Sequence, residues 1–139
     1  MILFLSTADT DLLAVSRAAA GLPAGFPEVR AANPTRLEDG APVPGAARVV
    51  LVRLLGGRRA WQGGSDRLAE ACKVSGVPLL AFGGEVEPDA ELAAASTAPA
   101  GVVAQAFEYL RHGGVANMEH LLRFVADTLL YTGFGFEPP

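Results

Sequence analysis

Three apolar runs end in residues able to meet a ligand. They are Ser6-Thr7-Ala8-Asp9, then Arg53-Leu54-Leu55-Gly56-Gly57 followed by Arg58, Arg59 and Trp61, and Phe82-Gly83-Gly84-Glu85. In an open parallel sheet, ligands bind outside the carboxyl ends of the strands, which is where such runs finish. The pairs Gly56-Gly57 and Gly83-Gly84 would let the backbone approach something closely, and would equally serve tight strand-to-helix turns. Arg53 ends a run that must be buried, so it has to be hydrated or paired. It is expected in the strand-end crevice, near Gly84 or the helix after Gly57, beside a carboxylate.

Familiar catalytic patterns are not met. A phosphate loop of the flavodoxin type uses hydroxyls and amides at a helix N-terminus. Here Asp9 puts negative charge where the phosphate would lie and the loop glycine is missing, so residues 6–10 read as helix capping. A receiver domain needs an aspartate at the end of the third strand, where Gly56-Gly57 stand. Gly63-Gly64-Ser65 lacks the lysine of a Walker A loop, and no Gly-x-Gly-x-x-Gly follows the first run. His112 and His120 flank Gly113-Gly114 without a cysteine or second histidine at ligand spacing, and read as solvated or capping residues. Cys72 sits on an apolar helix face, as an inert buried thiol would. Glu85, Glu87, Asp89 and Glu91 suit a turn followed by an acidic first helical turn. No catalytic residue and no metal ligand is assigned, and the chain is expected to bind neither ATP nor a structural metal.

These residues need elements to hold them. Strands are predicted over 2–8, an unbroken apolar run, over the short stretch 26–32, over 48–55, the strongest of them, and over 77–82. Between them lie a helix carrying Leu12, Leu13, Val15 and Ala19, capped by Asp9 or Thr10 and stopped at Gly21, and a short helix opened by Asn33-Pro34. Gly40, Pro42, Pro44 and Gly45 keep that short helix from continuing. A helix over 65–75 puts Leu68, Ala71 and Cys72 on one face and ends at Gly76. After 82 only helices are predicted, over 88–95, 100–111 and 116–131, the last capped near 115–117, and the tail 133–139 has no partner element. Alternating strands and helices imply parallel pairing. The fold expected is α/β: a four-stranded parallel, flavodoxin-like sheet in the order 2-1-3-4 with an α-helical C-terminal half, all in one domain over 1–139.

Composition narrows the function. Half the residues are hydrophobic and 19% are charged, which excludes a disordered tail. The net charge of -4 argues against general nucleic-acid binding. A single cysteine cannot form an internal disulfide. No run reaches the roughly 20 apolar residues of a membrane span, and no signal peptide is recognisable. A cytoplasmic protein that contacts neither nucleic acid nor membrane is expected. Ten of the eleven basic residues are arginine and Lys73 is the one lysine, so lysine chemistry has a single candidate.

Seven blocks follow one another along the chain: residues 1–13, Val52-Arg53-Leu54-Leu55-Gly56-Gly57-Arg58-Arg59-Ala60-Trp61, Val77 to Glu85, Asp89-Ala90-Glu91-Leu92 with Ser96-Thr97, Tyr109-Leu110, Gly113-Gly114 with Asn117, and Thr132 to Pro139. In that order they resemble the N-terminus of the large subunit of aerobic cobaltochelatase, CobN. The weakest stretch is 37–47. The magnesium chelatase large subunit shares the architecture. The resemblance implies a head domain of a subunit that binds a tetrapyrrole, hydrogenobyrinic acid a,c-diamide, and inserts cobalt in cobalamin biosynthesis. An AAA+ ATPase subunit and its companion supply ATP hydrolysis with magnesium. The segment itself is expected to hold no cofactor, to be inactive alone, and to help form the tetrapyrrole site or dock on the rest of the subunit. On that reading Arg53, Arg58 and Arg59 would meet carboxylate side chains of the macrocycle and Trp61 would stack on its edge. The bland alternative is a structural salt bridge and a packing Trp. The other functional readings are a stand-alone tetrapyrrole-binding or interaction module and a small flavodoxin-like enzyme.

One further surface is expected on the last helix. Met118, Leu121, Leu122, Val125 and Leu129 form a stripe at 100° per residue that should face the core. Phe124 and Tyr131, beside His120 and Asp127, fall away from it and are expected to be an exposed aromatic strip for a partner, unless the tail from Phe134 onward covers them.

Overall fold

Parallel apolar runs joined by helices leave few arrangements, and the computed structural model, which describes residues 1–36 and 45–139, adopts the expected one. The predicted break at Gly40, Pro42 and Pro44 lies outside the described residues. Strands β1 (Ile2–Ser6), β2 (Val29–Ala32), β3 (Val49–Leu54) and β4 (Leu79–Gly83) are parallel and ordered β2-β1-β3-β4. Their helices are α1 (Asp9–Ala20), α2 (Gln62–Ser75), α3 (Ala90–Ala95), α4 (Ala100–His112) and α5 (Val115–Leu130), with short 3-10 turns at Pro34–Arg36 and Arg58–Trp61.

Strand periodicity divides the core in two. Ile2, Phe4, Val49, Leu51, Leu80 and Phe82 point to a layer made by α1, α4 and α5. Leu3, Leu5, Val50, Val52, Leu79 and Ala81 point to the other face, against Leu68 and Cys72 of α2 and Leu92 of α3. Ala71, expected on that buried face, is exposed, and so is Leu13 of α1. Burial pushes the Cys72 thiol pKa up, as suits an inert core residue. The α5 stripe packs as expected: Met118, Leu121, Leu122 and Val125 are buried and Leu129 is partly so.

Local chemistry sets the ends. The N-cap of α1 is Ala8, not Asp9 or Thr10; the Ser6 Oγ accepts from the Ala8 amide at 3.0 Å and turns the chain before the helix. Asp9 is instead the first helical residue, where the dipole favours a carboxylate. Asp89 caps α3 by accepting from the Leu92 amide at 3.0 Å. The outer edge of β4 is partly closed by the residues after α3. Thr97 Oγ1 accepts from the Leu79 amide at 2.8 Å and Ser96 Oγ from the Ala81 amide at 2.9 Å. The Leu79 carbonyl accepts from the amides of Thr97 and Ala98 at 2.9 and 3.1 Å.

Candidate functional site

In a sheet ordered 2-1-3-4 the chain runs outward from β1 in one direction and from β3 in the other. The carboxyl ends of β1 and β3 are therefore the switch point where ligands collect in such folds. Arg53 lies there. Its Nη1 donates to Asp11 Oδ1 at 2.9 Å and its Nε to the Gly83 carbonyl at 3.4 Å. Ser6 Oγ donates to the other Asp11 oxygen at 2.8 Å. The expected carboxylate pairing exists, and the carboxylate comes from the first turn of α1. Leu55 and Thr7 tie the two strand ends together through the Leu55 amide and Thr7 Oγ1, 2.9 Å apart.

A groove of about 370 Å³ opens beside this pair, between the first turns of α1 and the α4–α5 turn. Arg53 and Asp11 line it with Arg17, Leu13, Val115 and Met118. Leu13 is 52% exposed at its rim. Sequence reasoning does not find Asp11, Arg17, Leu13 and Val115 as site residues. The available signal is that an Arg closing a buried strand demands an acid; Asp11 is the acid on the inner side of the first helical turn, whereas capping logic points to Asp9.

The second glycine cluster is occupied by this chain's own side chains. Gly57 has φ +78°, and a Cβ there would come 2.9 Å from Asp89 Oδ2; one at Gly83 would come 3.1 Å from Asp89 Cβ. A Cβ on Gly84 would overlap the Leu55 side chain. Gly56, at φ +86°, meets nothing and serves the turn. The close approaches that the paired glycines allow are thus to Asp89 and Leu55.

Arg58 is also engaged internally. It forms a two-pronged pair with Asp66, at 3.0 and 2.7 Å, and lies 3.9 Å from Glu91. Those hydrogen bonds hold the Asp66 carboxyl below its usual range. Trp61 lies against Gly64, where any Cβ would overlap its ring, and packs on the α2 side of the core. Arg59 is exposed. The structure brings Arg53 to the groove, keeps Arg58, Arg59 and Trp61 at the start of α2, and does not assemble the four into one constellation. Among the described residues no group of three or more His, Cys, Asp or Glu could hold a metal ion.

The expected aromatic strip on α5 is corrected. Phe124 is 3% exposed, in edge-to-face contact with Phe136, and belongs to the core. Asp127 and His120 are engaged by the tail: Asp127 accepts from Phe134 and Gly135 amides, and His120 Nδ1 from the Glu137 amide. Of the strip, Tyr131 alone, 87% exposed, faces solvent. The physical reason is that α5 packs on both α1 and α4 and is then crossed by the tail, so it buries more than one stripe.

An aerobic cobaltochelatase subunit CobN from Pseudomonas aeruginosa is 32% identical over 145 residues, spanning 99% of this chain and 12% of that protein. The catalytic subunit of cobaltochelatase from Mycobacterium tuberculosis is 44% identical and superposes with a TM-score of 0.83, covering 99% of this chain and 11% of that one. This chain is homologous, over its whole length, to a segment of CobN. No protein-family profile matches it. The chain spans about an eighth of the length of the CobN relative. Among the described residues no helix is long and apolar enough to cross a membrane.

Proposed function

We propose that the chain serves as a docking segment of the CobN large subunit of aerobic cobaltochelatase, in the cytoplasm. The complete complex would insert cobalt into hydrogenobyrinic acid a,c-diamide, with ATP and magnesium handled by the AAA+ subunit and its companion. The observation that carries this reading is the match along 99% of the chain at 44% identity to a cobaltochelatase catalytic subunit. Docking, more than direct substrate binding, is favoured because Arg53 and Arg58 already hold carboxylates of this chain. The strand-end edge instead presents Leu13, Leu55, Val86 and Val115, all exposed. These would lie against the remainder of the subunit, which makes up most of the relative's length.

A tetrapyrrole-binding module is the second reading, favoured by exposed Arg59 near Trp61. Co-purification separates the two. The 139-residue chain should bind the remainder of CobN supplied as a separate polypeptide, and Leu13→Ser with Val115→Ser should weaken that binding at least tenfold while leaving the melting temperature nearly unchanged. Retained binding by the double variant would sink the docking face. Spectral change of a metal-free corrinoid on adding the isolated chain, lost in Arg59→Ala, would favour the second reading. Cobalt insertion is expected only when the chain, the remainder and both partner subunits are combined with ATP.

A further inference from the structure

The residues after α5 form a strap whose hold on the molecule is concentrated in one carboxylate. Tyr131 ends α5 in a left-handed conformation, φ 57° and ψ 41°, and Gly133 and Gly135 have φ +79° and +88°. These turns wrap the chain around Asp127. Its Oδ1 accepts from Thr132 Oγ1 at 2.6 Å and the Phe134 amide at 2.8 Å, and its Oδ2 accepts from the Gly135 amide at 2.7 Å. An acid in the last turn of a helix faces the negative end of the macrodipole, so its placement opposes helix stability unless other donors compensate. Here the donors all come from the strap.

The strap then crosses an aromatic floor. Phe134 rests on Phe26 with ring centroids 5.2 Å apart, and Phe136 meets Phe124 at 5.1 Å. At Glu137 both backbone groups are taken: the amide donates to His120 Nδ1 at 3.1 Å, and the carbonyl accepts from the Tyr109 hydroxyl. α4 and α5 thus grip the backbone of residue 137, and its exposed carboxylate lies 3.9 Å from His120 Nε2. Beyond it, Pro138 and Pro139 lie along α4 beside Ala104 and Glu108, and consecutive prolines keep an extended course.

We propose that residues 132–137 are a rigid joint locked by Asp127, which opens as a unit without unfolding the sheet and which fixes the course of the chain across α4 and α5. This joint is independent of the docking role and does not rest on it. Strap residues are largely exposed, so few buried contacts would otherwise order a segment with two glycines. Asparagine at 127 keeps the shape but turns one acceptor into a donor group, which would confront a backbone amide.

Amide hydrogen exchange on the 139-residue chain tests this. The amides of Phe134, Gly135 and Glu137 should be protected at least tenfold relative to an unstructured peptide. In Asp127→Asn their exchange should rise at least tenfold, while amides of β1 and β3 stay within twofold. Tyr109→Phe, which removes the hydroxyl held by the Glu137 carbonyl, should raise exchange at Phe134, Gly135 and Glu137 together while β1 and β3 stay within twofold; a rise at Glu137 alone would show that the strap does not open as a unit. Strap amides unprotected in the parent chain, or unchanged in Asp127→Asn, would overturn the joint. So would an equal rise in β1 and β3, which would make Asp127 a residue of global stability.

Discussion

Asp11 shows how one side chain settles the state of three elements. It ties Ser6 at the end of β1 and Arg53 at the end of β3 to the first turn of α1. Both partners are well screened from water, with 16% of the Arg53 side chain and 11% of the Asp11 side chain accessible. Removing one member of such a pair strands the other charge, a loss of about 3–5 kcal/mol. Asp11→Ala should therefore lower the urea midpoint by a corresponding amount, and a shift of less than about 1 kcal/mol would show that water replaces the carboxylate. Asp127 gives a pH dependence with a defined sign. Partial burial raises its pKa, but hydrogen bonds from Thr132, Gly135, Phe134 and Gly133 outweigh that and leave it depressed. A depressed folded value means the carboxylate stabilises the fold above the ordinary aspartate pKa of about 4, and that this contribution fades as pH falls through the folded value. Melting curves from about pH 7 to about pH 2 should fall less steeply at the acid end for Asp127→Asn than for the parent chain. Much of this is readable one residue at a time: Arg53 has to be paired because it ends a buried strand. The identity of its partner is not, since Asp9 and Asp11 are two residues apart and only the actual helix start separates a surface acid from a buried one.

At the scale of elements, strands and helices are legible because their apolar period is continuous. Parallel pairing follows from the alternation of strand and helix, and the structure shows the order β2-β1-β3-β4. Burial around α5 is not legible, because a stripe drawn for one neighbour cannot anticipate contact with α1, α4 and the tail together. Phe124 departs from its expected exposure for that reason. Glycine is similarly ambiguous: Gly83 and Gly84 read as room for a ligand, and the neighbours that use the room are Asp89 and Leu55. Gly64 carries the clearest test of such packing, because it seats the one tryptophan. Gly64→Ala must push the indole out of place, at a loss of about 1–3 kcal/mol for overpacking. Trp61 fluorescence should shift to longer wavelength together with a lower melting temperature. A spectrum identical to the parent's would mean that the α2 backbone moves instead.

For the whole molecule, a three-layer arrangement with helices on both faces leaves the sheet only two edges to manage. β2 is four residues long and lies between Pro27 and Pro34, neither of which can donate a ladder hydrogen bond. β4 is handled by Ser96 and Thr97, whose hydroxyls accept from the amides of Ala81 and Leu79 as a neighbouring strand's carbonyls would. An open strand edge is a template onto which another chain can add, so this side-chain imitation of a fifth strand acts against cross-β growth during synthesis and storage. Replacing both with alanine should leave the fold recognisable by circular dichroism yet give concentration-dependent light scattering and thioflavin binding on mild heating. If the double variant stays as clear as the parent chain at equal concentration, α3 shields the edge unaided. What two short hydroxyl side chains confer, on this view, is colloidal: they let a mainly apolar parallel sheet remain dispersed where a bare edge would recruit its copies.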